Sequence, residues 1–288
     1  PDPESSDRCT LGGMIANNSC GAHSVLYGRT VDHVLELDVV LGDGERVTFS
    51  RGESLKAQTE PGRGSVEGPG GRIAKGLAAI RDAHHDEILR RFPKVMRSNG
   101  GYGLDRLGPP GSPVDATRIL CGSEGTLGIV VGAKLALTPL PQHKALVVLQ
   151  FDSVLDAVGV TPRALEHRPA AVELVDRPLL DATRGHPAFE PKRHFLRGDP
   201  EAILIVEFFG ESAAEVAEKV AVLAAECGRM PEVRATVELI DPAGQQDVWT
   251  IRKAGLGLLM SIPGQAQSNS FVEDTAVDPS RLREYIAR

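Results

Sequence analysis

Short apolar runs separated by amphipathic stretches run through most of the chain, a pattern that predicts strands interleaved with helices. The run VLELDVVL at 34–41 is β-prone, and GDGERVTF follows it. Because the pair Asp43-Gly44 readily adopts the positive φ angles of a tight turn, a hairpin is predicted there. A helix is predicted from about 72 to 91, since Pro93 then stops it.

Beyond residue 143 the pattern of predicted elements becomes regular, because each predicted strand is followed by a predicted helix. The predicted helix at 212–227 carries Ala213, Val216, Val220 and Leu223 at helical spacing. Such units predict a compact α+β layer in which helices cover one sheet. The other predicted elements are strands at 145–151, 202–209, 233–240 and near 270–273, helices at about 153–167, 243–260 and 279–287, and shorter elements near 171–184.

Three stretches lack a regular pattern. Residues 50–71 are rich in Gly, Ser, Glu and Arg and are predicted to form a loop, and 98–113 is predicted to be irregular. The stretch 125–141 predicts one or two strands that end at its prolines. The segment TPLPQH is the natural boundary between two domains, predicted at 1–142 and 143–288.

Composition and charge argue against several classes of function. The chain has 288 residues, of which 41% are hydrophobic and 25% charged, so a folded protein of about two domains is expected. A net charge of −7 lacks the basic footprint of a nucleic-acid binder. No apolar run approaches the roughly 18 residues that span a bilayer. The four cysteines form no C-x-x-C pair, which argues against a structural zinc or iron–sulfur site and favours a reducing cytoplasm.

Two glycine-rich stretches are the main candidates for chemistry. LGGMIANNSCGAHSVLYGRT, residues 11–30, has neither an amphipathic-helix nor a plain strand pattern. Its glycines allow a ligand to approach the backbone, and its Asn and Ser side chains suit a polar, partly anionic ligand. CGSEGTLGIV, residues 121–130, is similar, so the two could form the walls of one elongated cleft for a dinucleotide. Glycine-rich turns that merely pack two strands remain the alternative.

A nicotinamide cofactor on a Rossmann unit is not supported. That fold requires G-x-G-x-x-G between a strand and a helix. GRGSVEG and GPGGRIAKG lack the third glycine at the required spacing, and neither follows a clear strand.

Four segments together resemble the FAD-linked oxidases, also called vanillyl-alcohol-oxidase or PCMH-type flavoproteins. They are PDPESSDRCTLGGMIANNSCG, YGRTVDHVLELDVVLGDG, LCGSEGTLGIV, and VWTIRKAGLGLL with FVEDTAV. Within this family the chain is most similar to the D-2-hydroxyacid dehydrogenases, which act on D-lactate, D-2-hydroxyglutarate or glycolate. The resemblance covers nearly the whole chain.

The resemblance implies a fold and a cofactor. Residues 1–142 would be part of a PCMH-type FAD-binding domain, its second subdomain, and 143–288 an incomplete ferredoxin-like α+β substrate (cap) domain. FAD would be the cofactor. The positions that match residues lining its pyrophosphate and flavin are Gly12, Gly13, Asn17, Asn18, Ser19 and Gly21. Those that match residues at the adenosine half are Gly122, Ser123, Glu124, Gly125, Thr126, Gly128 and Ile129.

The resemblance also implies an activity. The parent enzyme would oxidise a D-2-hydroxy acid to the 2-keto acid by hydride transfer to flavin, and pass electrons to a quinone, a cytochrome or an iron–sulfur module. Arg252 lies in a W-x-x-R context that binds the substrate carboxylate in the resembling enzymes, and a planar guanidinium suits that task. A cytoplasmic location is expected, with membrane association only through partners. A non-catalytic structural or interaction domain is the alternative.

The chain departs from the family pattern at both ends. The R-G-G-G-T-S pyrophosphate loop would precede Pro1, and the EHG segment with the catalytic base and metal ligands would follow Arg288. No metal ligand is therefore predicted within the chain. The sequence is interpreted as an internal fragment that binds FAD weakly or not at all by itself.

The remaining candidate residues are predicted to lie at the surface or to pack in the protein, without a catalytic role. His84, His85 and Asp86 are predicted to form a solvated helix face, because adjacent helical positions point in different directions. Surface roles are predicted for His186 and His194. For Cys20 and Cys121 a covalent flavin link is conceivable, but small residues packed near a cofactor are favoured, and Trp249 is predicted to pack the cap.

Overall fold

The computed structural model describes residues 2–3, 5–52, 68–98, 100–260 and 275–288. The described residues fall into two compact units. Unit 1 takes those within Pro1–Gly21, Tyr27–Thr138 and Asp274–Ala276. Unit 2 takes those within Ala22–Leu26, Pro139–Glu273 and Val277–Arg288. Most of the loop predicted at 50–71 and the strand predicted near 270–273 lie outside the described residues.

Unit 1 is built on a three-stranded antiparallel sheet of order β2-β1-β3. The predicted hairpin is confirmed: strands β1 and β2 pair, and Gly44 has a φ of +86° in the turn between them. The inward side chains Val34, Leu37 and Val39 of β1 are fully buried and form the centre of this core. The elements of this part of the chain are α1 (Leu11–Asn17), α2 (Ser24–Tyr27), α3 (Thr30–His33), β1 (Val34–Val40), β2 (Arg46–Ser50), α4 (Pro69–Arg91), a 3₁₀ turn (Leu104–Arg106), α5 (Thr117–Leu120) and β3 (Ile129–Leu135).

Helix α1 corrects one expectation. The stretch 11–30 was expected to be neither helix nor strand, yet Leu11–Asn17 is helical. The Thr10 side chain caps this helix by accepting a hydrogen bond from the Gly13 backbone N–H, and Ile15 anchors it in the core with 1% of its surface exposed. A cap and a buried anchor thus offset the low helix propensity of two glycines.

Unit 2 has a ferredoxin-like topology. Strands β4, β5, β6 and β7 form a sheet of order β5-β6-β4-β7 with every neighbouring pair antiparallel. Helices α6 and α8 connect them as two split βαβ units. Its elements are β4 (His143–Phe151), α6 (Val154–Glu166), β5 (Ala171–Asp176), α7 (Arg177–Ala182), a 3₁₀ turn (Glu190–Phe195), β6 (Ala202–Gly210), α8 (Ala213–Cys227), β7 (Ala235–Leu239), α9 (Pro242–Lys253), α10 (Gly255–Met260), a 3₁₀ turn (Pro279–Arg281) and α11 (Leu282–Ala287).

Both faces of this second sheet are buried. On one face Val147 and Leu149 pack against Val220 of α8. On the other face Leu146 and Val148 pack in a second cluster that includes side chains of α7 and α9. A sheet buried on both faces explains the continuous apolar runs of β4 and β6, where an alternating pattern would mark a solvated face. The α+β prediction is confirmed, and helices cover both faces of this sheet.

Candidate functional site

The two glycine-rich stretches meet within unit 1. The Gly122 backbone N–H donates to the carbonyl of Ile15 at 2.9 Å, and the Glu124 N–H donates to the carbonyl of Ala16 at 3.1 Å. The end of α1 is therefore bonded directly to the turn that follows α5. The structure brings together the two stretches that the sequence singled out.

Asn18 holds this junction together from inside. It ends α1 in the left-handed conformation, with φ of 49°, and is 9% exposed. Its side-chain oxygen accepts a hydrogen bond from the Val31 backbone N–H at 3.0 Å and a weaker one from the Cys121 thiol at 3.6 Å. The side-chain oxygen of Asn18 thus satisfies a backbone N–H of the protein itself.

The glycines of the two stretches have two different reasons to be small. A Cβ at Gly21 would lie 1.9 Å from the Asp2 carbonyl oxygen, and one at Gly128 would lie 2.6 Å from a methyl of Val39. These two glycines are required by the packing of the chain itself. A Cβ at Gly12 or Gly125 would meet nothing within 4 Å, so the space beside the backbone is open at both positions, although the positive φ of Gly125 also favours glycine there.

The turn after α5 presents backbone and hydroxyl groups at the surface. Glu124 and Gly125 both have positive φ, 52° and 77°. The Thr126 hydroxyl donates to the Ser123 carbonyl at 2.5 Å and lies 2.8 Å from the Tyr102 hydroxyl. Of the predicted cofactor positions, Gly12, Gly13, Asn17, Glu124, Gly125, Thr126 and Ile129 are exposed, Ser19, Gly21, Gly122 and Gly128 are half-buried, and Asn18 and Ser123 are buried.

A cavity of about 240 Å³ lies beside α1 in unit 1. Its lining is mostly apolar, with the hydroxyl groups of Tyr27, Thr30 and Thr138 and the His33 ring as polar groups. The His33 ring nitrogen Nε2 is 2.9 Å from the Tyr27 carbonyl. The other lining residues are Leu11, Met14, Ile15, Leu135, Ala136 and Leu137.

Unit 2 contains a polar corner in an otherwise apolar sheet face. We use the name polar corner for His23, Glu173, Glu207, Trp249 and Arg252. The Arg252 guanidinium binds the Glu173 carboxylate, with Nε and Nη2 each 2.9 Å from Oε2. The Trp249 indole N–H donates to Glu207 Oε1 at 3.0 Å, and His23 Nε2 is 2.6 Å from Glu207 Oε2.

Strand register explains why the two carboxylates share a face. Glu207 of β6 lies opposite Ala171 of β5, and Glu173 of β5 lies opposite Ile205. The two glutamates are therefore diagonal neighbours on one side of the sheet. Helix α9 lies on that side and places Trp249 and Arg252, three residues apart, over them. Arg252, predicted as the carboxylate ligand, is thus half-buried and paired, with a quarter of its side-chain surface exposed.

Sequence reasoning missed His23, Glu173 and Glu207. The signal for Glu207 is a carboxylate inside the apolar run AILIVEFF, where a charge requires partners to be buried. His23 gave no signal of its own, because its partner is distant in sequence. Its ring stacks on Phe209 with centroids 5.1 Å apart and lies 5.9 Å from the Trp249 ring.

Most of the other candidate residues lie at the surface or pack against a core. His84 and Asp86 are exposed on α4, as predicted, while His85 is half-buried. His194 is exposed and pairs with Asp247, and half-buried His186 lies against the Phe189 ring, with the two rings tilted by 45°. Trp249 packs against the core of unit 2, which confirms its prediction. Within the described ranges, no group of three or more His, Cys, Asp or Glu side chains could hold a metal ion.

The cysteines of the two stretches differ in burial. Cys121 is 4% exposed, and burial raises the pKa of its thiol to about 12. Cys20 is half-buried. A thiol that stays protonated is a poor nucleophile, so Cys121 has the properties of a packing residue.

Comparison with known proteins identifies the family to which the chain belongs. The family model described as "FAD linked oxidases, C-terminal domain" matches residues 140–288, and the model described as "FAD binding domain" matches residues 1–50. The D-2-hydroxyglutarate dehydrogenase of Pseudomonas putida is 33% identical over 295 residues, which cover 100% of this chain and 29% of that protein. The "D-lactate dehydrogenase [cytochrome], mitochondrial" of Arabidopsis thaliana is 25% identical over 97% of this chain and 38% of its own length.

A solved structure shows the same fold. An alkyldihydroxyacetonephosphate synthase superposes with a TM-score of 0.54 at 18% identity, over 90% of this chain and 38% of that one. The chain thus spans between about a quarter and two fifths of the length of these relatives.

Proposed function

Because the chain belongs to the FAD linked oxidases by its match over residues 140–288, we propose that it is part of an FAD-dependent enzyme that oxidises a D-2-hydroxy acid to the 2-keto acid. The relatives named D-2-hydroxyglutarate and D-lactate dehydrogenase share this substrate class. In this proposal 1–142 is part of the FAD-binding domain and 143–288 is the substrate domain.

The exposed glycine backbone of unit 1 fits part of an extended, polar cofactor such as FAD. Gly12 and Gly125 have open space where a side chain would stand, and the hydrogen bonds between the two stretches hold them together. In this proposal Gly12, Gly13 and Asn17 contact the pyrophosphate and flavin, and the turn Gly122–Gly125 with Thr126 contacts the adenosine half. Asn18 and Gly21 support this site without contacting FAD. The Asn18 side chain accepts a hydrogen bond from the Val31 backbone N–H, and Gly21 packs closely against Asp2.

The carboxylate of the substrate is assigned to Arg252. The observation that carries this assignment is the half-buried guanidinium held at one edge by Glu173. Glu173 engages Nε and Nη2 of the guanidinium. A planar guanidinium suits a substrate carboxylate, because its N–H groups can form two parallel hydrogen bonds with the two oxygens.

The chain's residues orient and bind, and the cofactor supplies the redox chemistry. FAD, when bound, would provide the acceptor for the hydride that leaves the hydroxyl-bearing carbon, and the hydroxyl proton would go to a basic group of the full-length enzyme. Arg252 fixes the carboxylate next to that carbon, so the C–H bond is held in one direction. The electrons then pass to a quinone, a cytochrome or an iron–sulfur module, and the cytochrome named in the Arabidopsis relative supports such an acceptor.

Replacing Arg252 by lysine in the flavin-loaded full-length enzyme tests the proposal. Lysine keeps the charge but loses the two-pronged geometry. Loss of one charge-assisted hydrogen bond costs about 1.5–3 kcal/mol, so kcat/KM for the hydroxy acid should fall about ten- to over a hundredfold. The flavin absorption spectrum should be unchanged.

Arg281→Lys is the matched control. Arg281 pairs with Glu284 at the surface, with 69% of its side chain exposed, and its replacement should leave kcat/KM unchanged. Equal kcat/KM for Arg252→Lys and wild type would remove Arg252 from the substrate site. Absence of bound flavin from the purified full-length protein would instead favour the alternative of a non-catalytic domain.

A further inference from the structure

Glu207 is a buried carboxylate shared by two distant parts of the chain. It is 2% exposed, in the middle of the apolar strand β6. Each of its oxygens meets a different side chain, His23 at Oε2 and Trp249 at Oε1. Burying a carboxylate costs free energy unless strong hydrogen bonds compensate, so both contacts are needed to keep it there.

These contacts act on the face of α9 that carries Arg252. Trp249 precedes Arg252 by three residues, so both side chains project from the same side of the helix. Glu207 binds the first and Glu173 binds the second, from adjacent strands of one sheet. Two points of attachment fix both the rotation of a helix about its axis and its position along the sheet, whereas one point leaves the rotation adjustable.

His23 supplies the second anchor of Glu207. Its Nε2 is 2.6 Å from Glu207 Oε2, and its ring stacks on Phe209, while the Lys144 ammonium lies 5.1 Å from the centre of that same Phe209 ring. Since an ionised carboxylate only accepts hydrogen bonds, the His23 tautomer that carries a proton on Nε2 donates to it.

We propose that Glu207 is a positioning residue for the hydroxy-acid site: by binding His23 and Trp249 it fixes the face of α9 from which Arg252 reaches the substrate carboxylate. This inference rests on the proposed function of Arg252. Glu207 itself touches no substrate in this proposal. A glutamate that only stabilised unit 2 would affect folding but not the balance between KM and kcat.

Glu207→Gln isolates the role of the charge. Glutamine removes the charge and has a single side-chain oxygen, so it can no longer accept hydrogen bonds from both the Trp249 indole and the His23 ring. In the flavin-loaded full-length enzyme, Glu207→Gln should raise KM for the hydroxy acid about tenfold with a smaller change in kcat. The matched control is Glu215→Gln: Glu215 also holds a helix start, that of α8, which packs on the opposite face of the sheet. That variant should leave KM unchanged.

Fluorescence gives a readout that is independent of turnover. The contribution of Trp249 to the emission is the difference between the full-length protein and its Trp249→Phe variant, and it reports on the polar corner. Its emission maximum should shift in Glu207→Gln, because the indole N–H loses its carboxylate partner. His23→Asn should give a smaller shift, since His23 contacts the other oxygen of Glu207.

The outcomes separate this inference from the proposed function. An unchanged KM in folded Glu207→Gln, or a KM change equal to that of Glu215→Gln, overturns the positioning role. An emission maximum that is unchanged in Glu207→Gln overturns the contact between Glu207 and Trp249. If Glu207→Gln fails to fold, His23→Asn carries the kinetic test, because it removes one anchor and keeps the carboxylate. If Arg252→Lys has no effect while the Trp249 emission shifts in Glu207→Gln as expected, the contact between Glu207 and Trp249 stands and the proposed function fails.

Discussion

At the scale of single residues, buried polar side chains mark the places where distant segments are joined. Asn18 connects α1 to the start of α3 and to Cys121, and Glu207 connects His23 to α9. Each is buried. Their residue types were visible in the sequence, but their partners were not, because the partners lie far along the chain.

The buried cysteines give a prediction on reactivity and pH. Burial raises the pKa of the Cys121 thiol to about 12 and that of the Cys227 thiol to about 11. Because the thiolate is the nucleophile, iodoacetamide at about pH 8 should leave both unmodified while half-buried Cys9 reacts. Peptide mass spectrometry with and without urea measures this. Alkylation of Cys121 in the folded protein at the rate of Cys9 would contradict it.

Burial of these two thiols also determines how the stability of the folded protein changes with pH. The folded protein binds the thiol protons more tightly than the unfolded chain does, whose thiols titrate near 9.0. The contribution of these neutral thiols to stability is therefore complete below about pH 9 and decreases as pH rises toward 11 and 12. The free energy of unfolding from urea titrations should fall across that interval, and Cys121→Ala should reduce the slope.

At the scale of elements, α1 shows how local preference and tertiary contact compete. Gly12 and Gly13 argue against a helix, and the expectation for 11–30 was wrong on that account. The helix forms because Thr10 caps it, Ile15 is buried and Asn18 closes its end. The longer helices α4 and α8 were predicted to within a few residues.

The end of α1 provides a stability test with an internal control. Asn18→Gly removes the acceptor of the Val31 N–H but tolerates the left-handed backbone, whereas Asn18→Ala loses both. Loss of a buried acceptor costs about 1–3 kcal/mol. The alanine variant should be less stable than the glycine variant by about a further 1–2 kcal/mol, the cost of the left-handed conformation. Urea unfolding measures both, and equal stabilities would refute the role of the backbone conformation.

At the scale of the whole molecule, the segment that joins β3 to β4 is exposed. Leu137 and Leu140 have 92% and 89% of their surface exposed, and the contact-based units change at Thr138. Among the described residues, none belongs to a helix of the length and hydrophobicity needed to cross a membrane. The proposed domain boundary near 142 is therefore testable by proteolysis.

Thermolysin cleaves on the amino side of large apolar residues, which makes this segment a suitable substrate. Limited digestion should cut before Leu137 or Leu140 and give fragments that begin at these residues, identified by mass spectrometry. Replacing both leucines by glycine should slow the cut. Resistance of this segment, while cuts appear inside β4 or β6, would contradict two separately folded cores.

The sequence by itself determined most strands, the longer helices, the hairpin turn and the family. Apolar periodicity and turn residues are local signals, and the family resemblance, confirmed by comparison, rests on short motifs. It also identified the two glycine-rich stretches and Arg252. Only the tertiary structure decided which of their groups the protein itself uses. Asn18 and Gly21 turned out to serve internal contacts, and Arg252 to be held by Glu173. Hydrogen-bond partners far apart in sequence, such as His23 and Glu207, are set by strand register and helix placement, which no local pattern encodes.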